Sequence, residues 1–440
     1  MTVPRSRPMI DMPHDFHILL FGMIVLLFSA IYMHYSNRIF DLSSISISSV
    51  WYFAYVATIF IPSFFTFYEK IGPYRFNYIY AMASPLITVP AGISLANVLW
   101  KYNPQEIKQF YLRAIEDRPK SFIRILNYSF LLFIGIVLFF SWCIEQRGKP
   151  IPVIYALTHP QNPYQDLAML RDYSLKLLDS PFRYLYHTTR DFLLPLLMLV
   201  ALCNYYYSRS RGWLFFLIVS SCFGFFFATA NIAKGPTFNI ALLLLLNFYI
   251  IRRGKLPSWM VIIGIALALI FPVFIYMIGN ISWDGFTSAF SRIMERIFVA
   301  PAAIGYYCFE IVPERLPFQW GRSIGAIVKL LGLEVENYNS FVTWYIMGVD
   351  STTSMSGVFV IELFGDFAFP GVILGGILVG IAMQWVHVSI IRNRKTLFAI
   401  VTYVLFIRFF SDLTTLQIAG ALILSGAPFL WIMYKAKILG

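Results

Sequence analysis

Two arginines, Arg292 and Arg296, lie four residues apart in a segment that follows an apolar stretch. In a helix this spacing places both side chains on one face. A guanidinium group is planar, stays charged and donates paired hydrogen bonds to phosphate oxygens. Placed at the level of the lipid headgroups, the pair predicts a binding site for a diphosphate. The alternative is that both arginines form surface ion pairs with Glu295 on an interfacial helix.

Three further cations are candidates for the same task. Arg408 lies within the apolar run FIRFF, where a charged side chain is expected to face the protein interior or a polar cavity. Lys234 lies in the short turn NIAKGP, and Arg190 lies at the end of a long polar segment. The alternatives are a structural ion pair for Arg408 and, for Lys234, a lysine whose ammonium simply reaches the headgroup layer.

Two carboxylates, Glu362 and Asp366, lie four residues apart in the apolar segment FVIELFGDFAFPG. Carboxylates in such segments are energetically unfavourable and are usually functional. Either could act as a general base on a sugar hydroxyl, and His187 is a third candidate for that role. It is equally consistent with the sequence that the carboxylates neutralise a nearby arginine.

Aromatic, amide and hydroxyl side chains are frequent in the stretch ENYNSFVTWYIMGVDSTTSMSG, which precedes these carboxylates. Tyr306 belongs to a tyrosine pair in the same half of the chain and is a further candidate for contact with substrate. Aromatic rings beside amides and hydroxyls suit sugar binding. The same composition also fits an external loop with an aromatic belt.

Composition identifies the setting in which these residues must work. Of the 440 residues, 59% are hydrophobic and 13% are charged, and the mean hydropathy is +0.69. Soluble domains carry about 25% charged residues, so the chain is predicted to be an integral membrane protein. The net charge of +12 does not indicate nucleic acid as a partner, because the cations cluster between apolar runs.

The chain is predicted to form a single all-α membrane domain over 1–440, with about 11–12 transmembrane helices. A helix needs roughly 20 apolar residues to cross the hydrocarbon core. The predicted spans are 16–34, 47–66, 77–99, 122–142, 190–207, 213–231, 236–251, 258–279, 369–391, 396–411 and 415–434.

Five basic clusters then fall on the same side of the membrane, which the positive-inside rule makes cytoplasmic. They lie within 101–124, 209–211, 252–255, 392–395 and 435–437. Two long loops, 143–189 and 280–353, are predicted on the opposite, external side. The segment 354–367 is apolar but short, and it is predicted to be a half-helix that enters the membrane and returns.

No cofactor or metal is expected from sequence motifs. The four cysteines form no CxxC pair, and no HExxH, Walker or GxGxxG motif occurs. These absences make cytosolic nucleotide chemistry an unattractive interpretation.

The second half of the chain resembles a known family. The order SRIMERIFVAP, then NSFVTW, then SGVFVIELFGDFAFPGV is similar to the Wzy-type O-antigen and exopolysaccharide polymerases, in particular the oligosaccharide repeat unit polymerases. The spacing departs from the family's arginine-to-glycine signature, since twelve residues separate Arg292 from Gly305. The resemblance implies a fold similar to the GT-C glycosyltransferases, in the bacterial inner membrane with the active site facing the periplasm.

The implied reaction joins oligosaccharide units carried on undecaprenyl diphosphate, without a metal. The growing chain is the donor, the incoming lipid-linked unit is the acceptor, and a chain-length regulator protein is an expected partner. Diphosphate binding is expected from Arg292, Arg296 and Arg408, supported by Lys234 and Arg190; the base is expected among Asp366, Glu362 and His187. Three alternatives remain: an O-antigen ligase, a flippase and a non-catalytic scaffold. The absence of an internal repeat argues against a transporter.

Overall fold

The structure is a computed structural model, and it describes residues 12–70, 72–116, 186–230, 234–255, 283–295, 299–322, 341, 345, 358–414, 418 and 426–435. The described part is 82% helical and contains no strand, which confirms the all-α prediction. The described helices are α1 Met12–Asn37, α2 Ile47–Glu69, α3 Tyr74–Leu99, α4 Gln105–Leu112, α5 Tyr186–Ser208, α6 Arg211–Ala230, α7 Lys234–Ile251, α8 Trp283–Met294, α9 Ala300–Ile311, α10 Phe359–Ile391, α11 Leu397–Asp412 and α12 Ala427–Lys435.

Six of these helices are long and apolar enough to cross a membrane, as a polytopic membrane protein requires. They are α2, α3, α5, α6, α10 and most of α1, and each coincides with a predicted span. α11 has 16 residues, and the apolar part of α7 is also shorter than a full span. The predicted spans 122–142 and 258–279 lie outside the described residues, as does much of 415–434.

Two predicted boundaries differ from the structure. The loop predicted over 143–189 ends earlier, because α5 begins at Tyr186 and carries His187 on its first turn. The rest of that loop lies outside the described residues. The loop predicted over 280–353 includes α8 and α9, and α10 begins ten residues before the predicted span at 369.

One end of the helix bundle gathers the basic clusters and is called the basic end here. Arg392 binds the Glu106 carboxylate through Nε and Nη2, at 2.7 and 2.9 Å, which lowers the pKa of Glu106. Lys395 is fully buried and donates from Nζ to the carbonyl oxygen of Tyr111 at 2.8 Å. These contacts join the first basic cluster to the fourth.

The other clusters lie at the same end. The guanidinium groups of Arg209 and Arg252 lie over the rings of Tyr206 and Phe248, at 4.9 and 5.1 Å, and these two rings are 5.8 Å apart. The rings of Tyr249 and Tyr111 are 5.8 Å apart, which places the second and third clusters beside the first at the basic end. Asn393 donates to the hydroxyl of Tyr434 at 3.0 Å, which adds the end of α12 with Lys435.

The closest crossing in the core joins α3 to α10. A Cβ atom at Gly92 would overlap the carbonyl oxygen of Ile377, and a Cβ atom at Gly380 would overlap that of Val89. Small residues let helix backbones approach in this way, which is how helices associate where lipid removes the hydrophobic driving force. The crossing fixes α10, and with it the carboxylates near its first turns, against the rest of the bundle.

A closed ring of amides adds specificity near the basic end of this crossing. Asn37 donates to the Gln384 side chain at 3.0 Å, Gln384 donates to Asn97 at 2.6 Å, and Asn97 donates back to Asn37 at 3.1 Å. All three amides therefore have partners, as buried polar groups require. The ring ties α1, α3 and α10 together.

Candidate functional site

The side chains that could take part in a reaction lie at the opposite end of the helix bundle, which is called the outer end here. α5 and α10 run from the outer end to the basic end, and α11 runs back to it, finishing at Asp412. Asp191 near the start of α5, Glu362 near the start of α10 and Asp412 therefore share one end of the bundle. The sequence predicts the same arrangement, because all five basic clusters are expected on the other side.

Asp191 holds two arginines that are 218 positions apart in the chain. Arg190 binds its carboxylate through Nε at 3.1 Å and Nη2 at 2.7 Å. Nη2 of Arg408 lies 3.5 Å from Oδ1 of the same carboxylate, the oxygen that also accepts from Nε of Arg190, and Nε of Arg408 donates to Asp412 at 3.2 Å. The side chains of Arg190, Asp191 and Arg408 are 10%, 6% and 9% exposed, so the charges are largely removed from solvent.

His187 completes this set, which is called the outer charge cluster: His187, Arg190, Asp191, Arg408 and Asp412. Its Nδ1 lies 3.9 Å from Asp191, one helical turn away. Two arginines and two aspartates cancel, so the charge of the cluster depends on the proton of His187. An imidazole beside buried carboxylates can accept or donate a proton, which is the chemistry expected of a general base or acid.

The missing N–H of a proline explains why Arg408 donates a hydrogen bond to the backbone of α5. Pro195 lies four residues after Asp191 and has no N–H to donate to the Asp191 carbonyl. Nη1 of Arg408 donates to that carbonyl oxygen instead. The local backbone is also widened, because Thr189–Leu193 forms a π-helical turn. Such turns are frequent at functional sites.

Glu362 and Asp366 lie on the first turns of α10 and are 3% and 1% exposed. The backbone N–H of Ile418 donates to Oε2 of Glu362 at 2.7 Å. The other oxygen, Oε1, is buried and has no hydrogen-bond partner among the described residues. A buried carboxyl oxygen without a partner is unfavourable, so Glu362 is a strong candidate for proton transfer.

α10 is broken directly after Asp366. Phe367 and Ala368 have non-helical backbone angles, and the helix resumes at Phe369. Pro370 cannot donate to the Asp366 carbonyl four residues earlier. The backbone N–H of Trp320 donates to that carbonyl at 3.0 Å, and the N–H of Gln319 donates to the carbonyl of Gly365 at 3.0 Å. The break falls where the half-helix predicted over 354–367 ends.

The same local sequence thus occurs at both parts of the site. Asp191 begins DFLLP and Asp366 begins DFAFP, so each aspartate has a proline four residues later. In each case a distant donor satisfies the carbonyl that the proline leaves open. Sequence reasoning did not use this signal, and it also omitted Asp191 and Asp412 from the predicted site.

The remaining predicted residues are placed as follows. Tyr306 lies on α9, is 3% exposed and packs edge-on against Tyr78 at 5.8 Å between ring centroids. Arg292 lies on α8, and Lys234 is the first residue of α7. The side chains of Arg292 and Lys234, and all of Arg296, lie outside the described part of the structure.

The described part of the structure bears on metal binding only. No group of three or more His, Cys, Asp or Glu side chains is arranged there to hold a metal ion.

Comparisons with known proteins do not assign a family. No family model, no curated protein and no solved structure matches this chain.

Proposed function

We propose that this protein is a membrane glycosyltransferase that polymerises oligosaccharide units carried on undecaprenyl diphosphate. The growing chain is the donor and the incoming lipid-linked unit is the acceptor. The fold is proposed to be GT-C-like, and the site is proposed to face the periplasm from the bacterial inner membrane. The proposal rests on the resemblance of the second half of the chain and on the chemistry of the outer end.

The observation that carries the proposal is the outer charge cluster. Arg190 and Arg408 are held in place by carboxylates before any substrate arrives, at the end of the bundle away from the basic clusters. An arginine has five N–H donors, and Arg408 uses three of them in the described contacts. The remaining donors can bind a diphosphate whose lipid tail stays in the membrane. Preorganised cations of this kind stabilise a leaving group as its charge develops.

The proton balance of the reaction requires a base. The acceptor hydroxyl forms the new glycosidic bond as the bond from the donor sugar to the diphosphate breaks. The hydroxyl proton passes to Glu362, Asp366 or His187, and the lipid diphosphate leaves with the negative charge. Glu362 is the best-supported base, because its Oε1 has no described partner that would compete for the proton.

A direct test supplies the purified protein with native lipid-linked repeat units and no nucleotide, then resolves the glycans by length. The proposal predicts a ladder of longer chains. Transfer to lipid A–core acceptor without a ladder would indicate a ligase. Movement of the units across a vesicle membrane without any glycosidic bond formation would indicate a flippase. Either result would contradict the polymerase proposal.

Variants of the cluster link the activity to the site. Replacing Arg408 by Gln together with Asp412 by Asn keeps the charges balanced while removing a phosphate donor. The ladder is expected to disappear in this variant, whereas Arg392→Gln, which breaks an ion pair at the basic end, should retain it. Retention of the full ladder in the double variant would exclude Arg408 from diphosphate binding.

A further inference from the structure

Trp320 is an unusually exposed tryptophan at the outer end. Its side chain is 76% exposed, compared with 39% for Trp385 and 0% for Trp51. It lies in the turn that follows α9, within 312–322. Exposure of one aromatic side chain is common on its own, so the contacts that hold Trp320 in place decide what it does.

The turn that carries Trp320 is tied to the break in α10. Its backbone donates from Gln319 to Gly365 and from Trp320 to Asp366, each at 3.0 Å. Gln319 is 3% exposed and its side chain donates to the Pro317 carbonyl at 2.8 Å, which fixes the turn internally. These hydrogen bonds fix the position of Trp320 relative to Asp366, one of the candidate bases on α10.

The backbone is strained at the junction between the Trp320 turn and the break in α10. Trp320 has φ +51° and Ala368 has φ +55°, a region that residues with a side chain adopt rarely. The other non-glycine residues with positive φ in the described part lie close to helix ends at the basic end: Arg38, Lys101, Arg209 and Arg253. Left-handed residues there are ordinary helix caps. The two strained residues at the outer end flank one hydrogen-bonded junction, as strain stored at a ligand site would.

Phe367 extends the aromatic surface. Its side chain is 36% exposed, and its ring lies 6.4 Å from that of Trp320 at an interplanar angle of 72°. The ring also lies under Gly321, where a Cβ atom would meet it at 3.5 Å. Trp320 and Phe367 are called the outer aromatic shelf. Phe367 follows Asp366 in the sequence, and Trp320 reaches the Asp366 carbonyl through its backbone N–H.

We infer that the outer aromatic shelf is a platform for a pyranose ring of the lipid-linked glycan. This inference rests on the proposed function, and it adds where a sugar lies. The apolar C–H face of the sugar stacks on Trp320, and its hydroxyl edge is directed to the carboxylates of α10. The competing explanation is that Trp320 anchors the turn in the lipid headgroup layer.

Kinetics of ladder formation test the platform. Trp320→Ala is expected to raise the KM for the lipid-linked unit about tenfold, or about 1.4 kcal/mol, at unchanged kcat, because the stacking surface for the sugar is removed. Trp320→Phe should recover most of the loss, and Trp385→Phe at the other half of α10 should behave as wild type. A KM unchanged in Trp320→Ala would overturn the platform.

Fluorescence tests it without requiring activity. The difference between the fluorescence of the wild type and that of Trp320→Phe is the emission of Trp320. Acrylamide is expected to quench this emission, and the oligosaccharide released from the native lipid-linked unit is expected to protect it from quenching. Quenching by brominated lipid with no protection by the oligosaccharide would overturn the platform in favour of a membrane anchor. Protection without any ladder would support the platform while contradicting the polymerase proposal.

Discussion

Arg408 donates a hydrogen bond to the backbone carbonyl of Asp191, the acceptor that Pro195 cannot satisfy. The same guanidinium binds the carboxylate of Asp191 and that of Asp412. One side chain of α11 therefore both completes the backbone of α5 and neutralises its buried charge. The arrangement makes the stability of the outer end depend on the groups proposed to bind diphosphate.

Asp191→Asn should be strongly destabilising. It leaves Arg190 and Arg408 buried with one fewer counter-charge, and breaking a buried pair in this way costs about 3–5 kcal/mol. The free energy of unfolding in detergent measures the effect. The matched control is Glu116→Gln, which removes the exposed pair with Arg394 and should change stability by less than about 1 kcal/mol. Equal effects would show that burial does not strengthen the Asp191 contacts.

Pro195→Ala should separate activity from stability. The new N–H competes with Arg408 for the Asp191 carbonyl, so the ladder should shorten or disappear while the melting temperature stays the same or rises. Pro90→Ala within α3 is the control, since Pro90 lies inside a helix away from the outer charge cluster. A fall in melting temperature with full activity would contradict the role assigned to Pro195.

Gly380→Ala should lower stability by about 1–3 kcal/mol, because the added methyl group overlaps the Val89 carbonyl and forces α3 and α10 apart. Gly212→Ala is the matched control on α6, where the nearest atom to the new Cβ is 3.7 Å away. That substitution should be neutral or slightly stabilising, as alanine favours helix. Thermal unfolding of both variants distinguishes steric overlap from a general sensitivity to substitution.

Lys395 predicts a specific dependence of stability on pH. Burial, together with Arg253 and Arg113, lowers the pKa of Lys395 from 10.5 to about 8 in the folded protein. Between these values the unfolded chain binds a proton that the folded chain does not, so the contribution of Lys395 to stability rises with pH. The melting temperature measured from pH 7.5 to 10 should rise less steeply in Lys395→Met than in wild type. Identical slopes would contradict the lowered pKa.

Cysteine labelling tests the orientation of the two ends. In a cysteine-free background, Lys255→Cys should react with an impermeant maleimide only after the cytoplasmic side is opened. Glu314→Cys, in the turn next to Trp320, should react in intact spheroplasts. The reverse pattern would place the outer charge cluster in the cytoplasm and contradict a periplasmic active site.

Hydropathy alone located the six long spans, because about 20 apolar residues in a row must be helical and buried in lipid. The basic clusters alone indicated their common side, and the structure brings members of all five to one end. Boundaries were less predictable. The start of α5 at Tyr186 follows a polar stretch whose composition resembles a loop, so the helix was placed too late in the sequence.

The sequence by itself determined which residues are chemically unusual: an arginine in FIRFF and two carboxylates in an apolar segment. Only the tertiary structure decided their partners. Arg190 and Arg408 share Asp191, and Trp320 caps the broken helix at Asp366. The physical reason is that helix formation depends on neighbours within a few residues, whereas ion pairs and backbone caps depend on how distant helices pack.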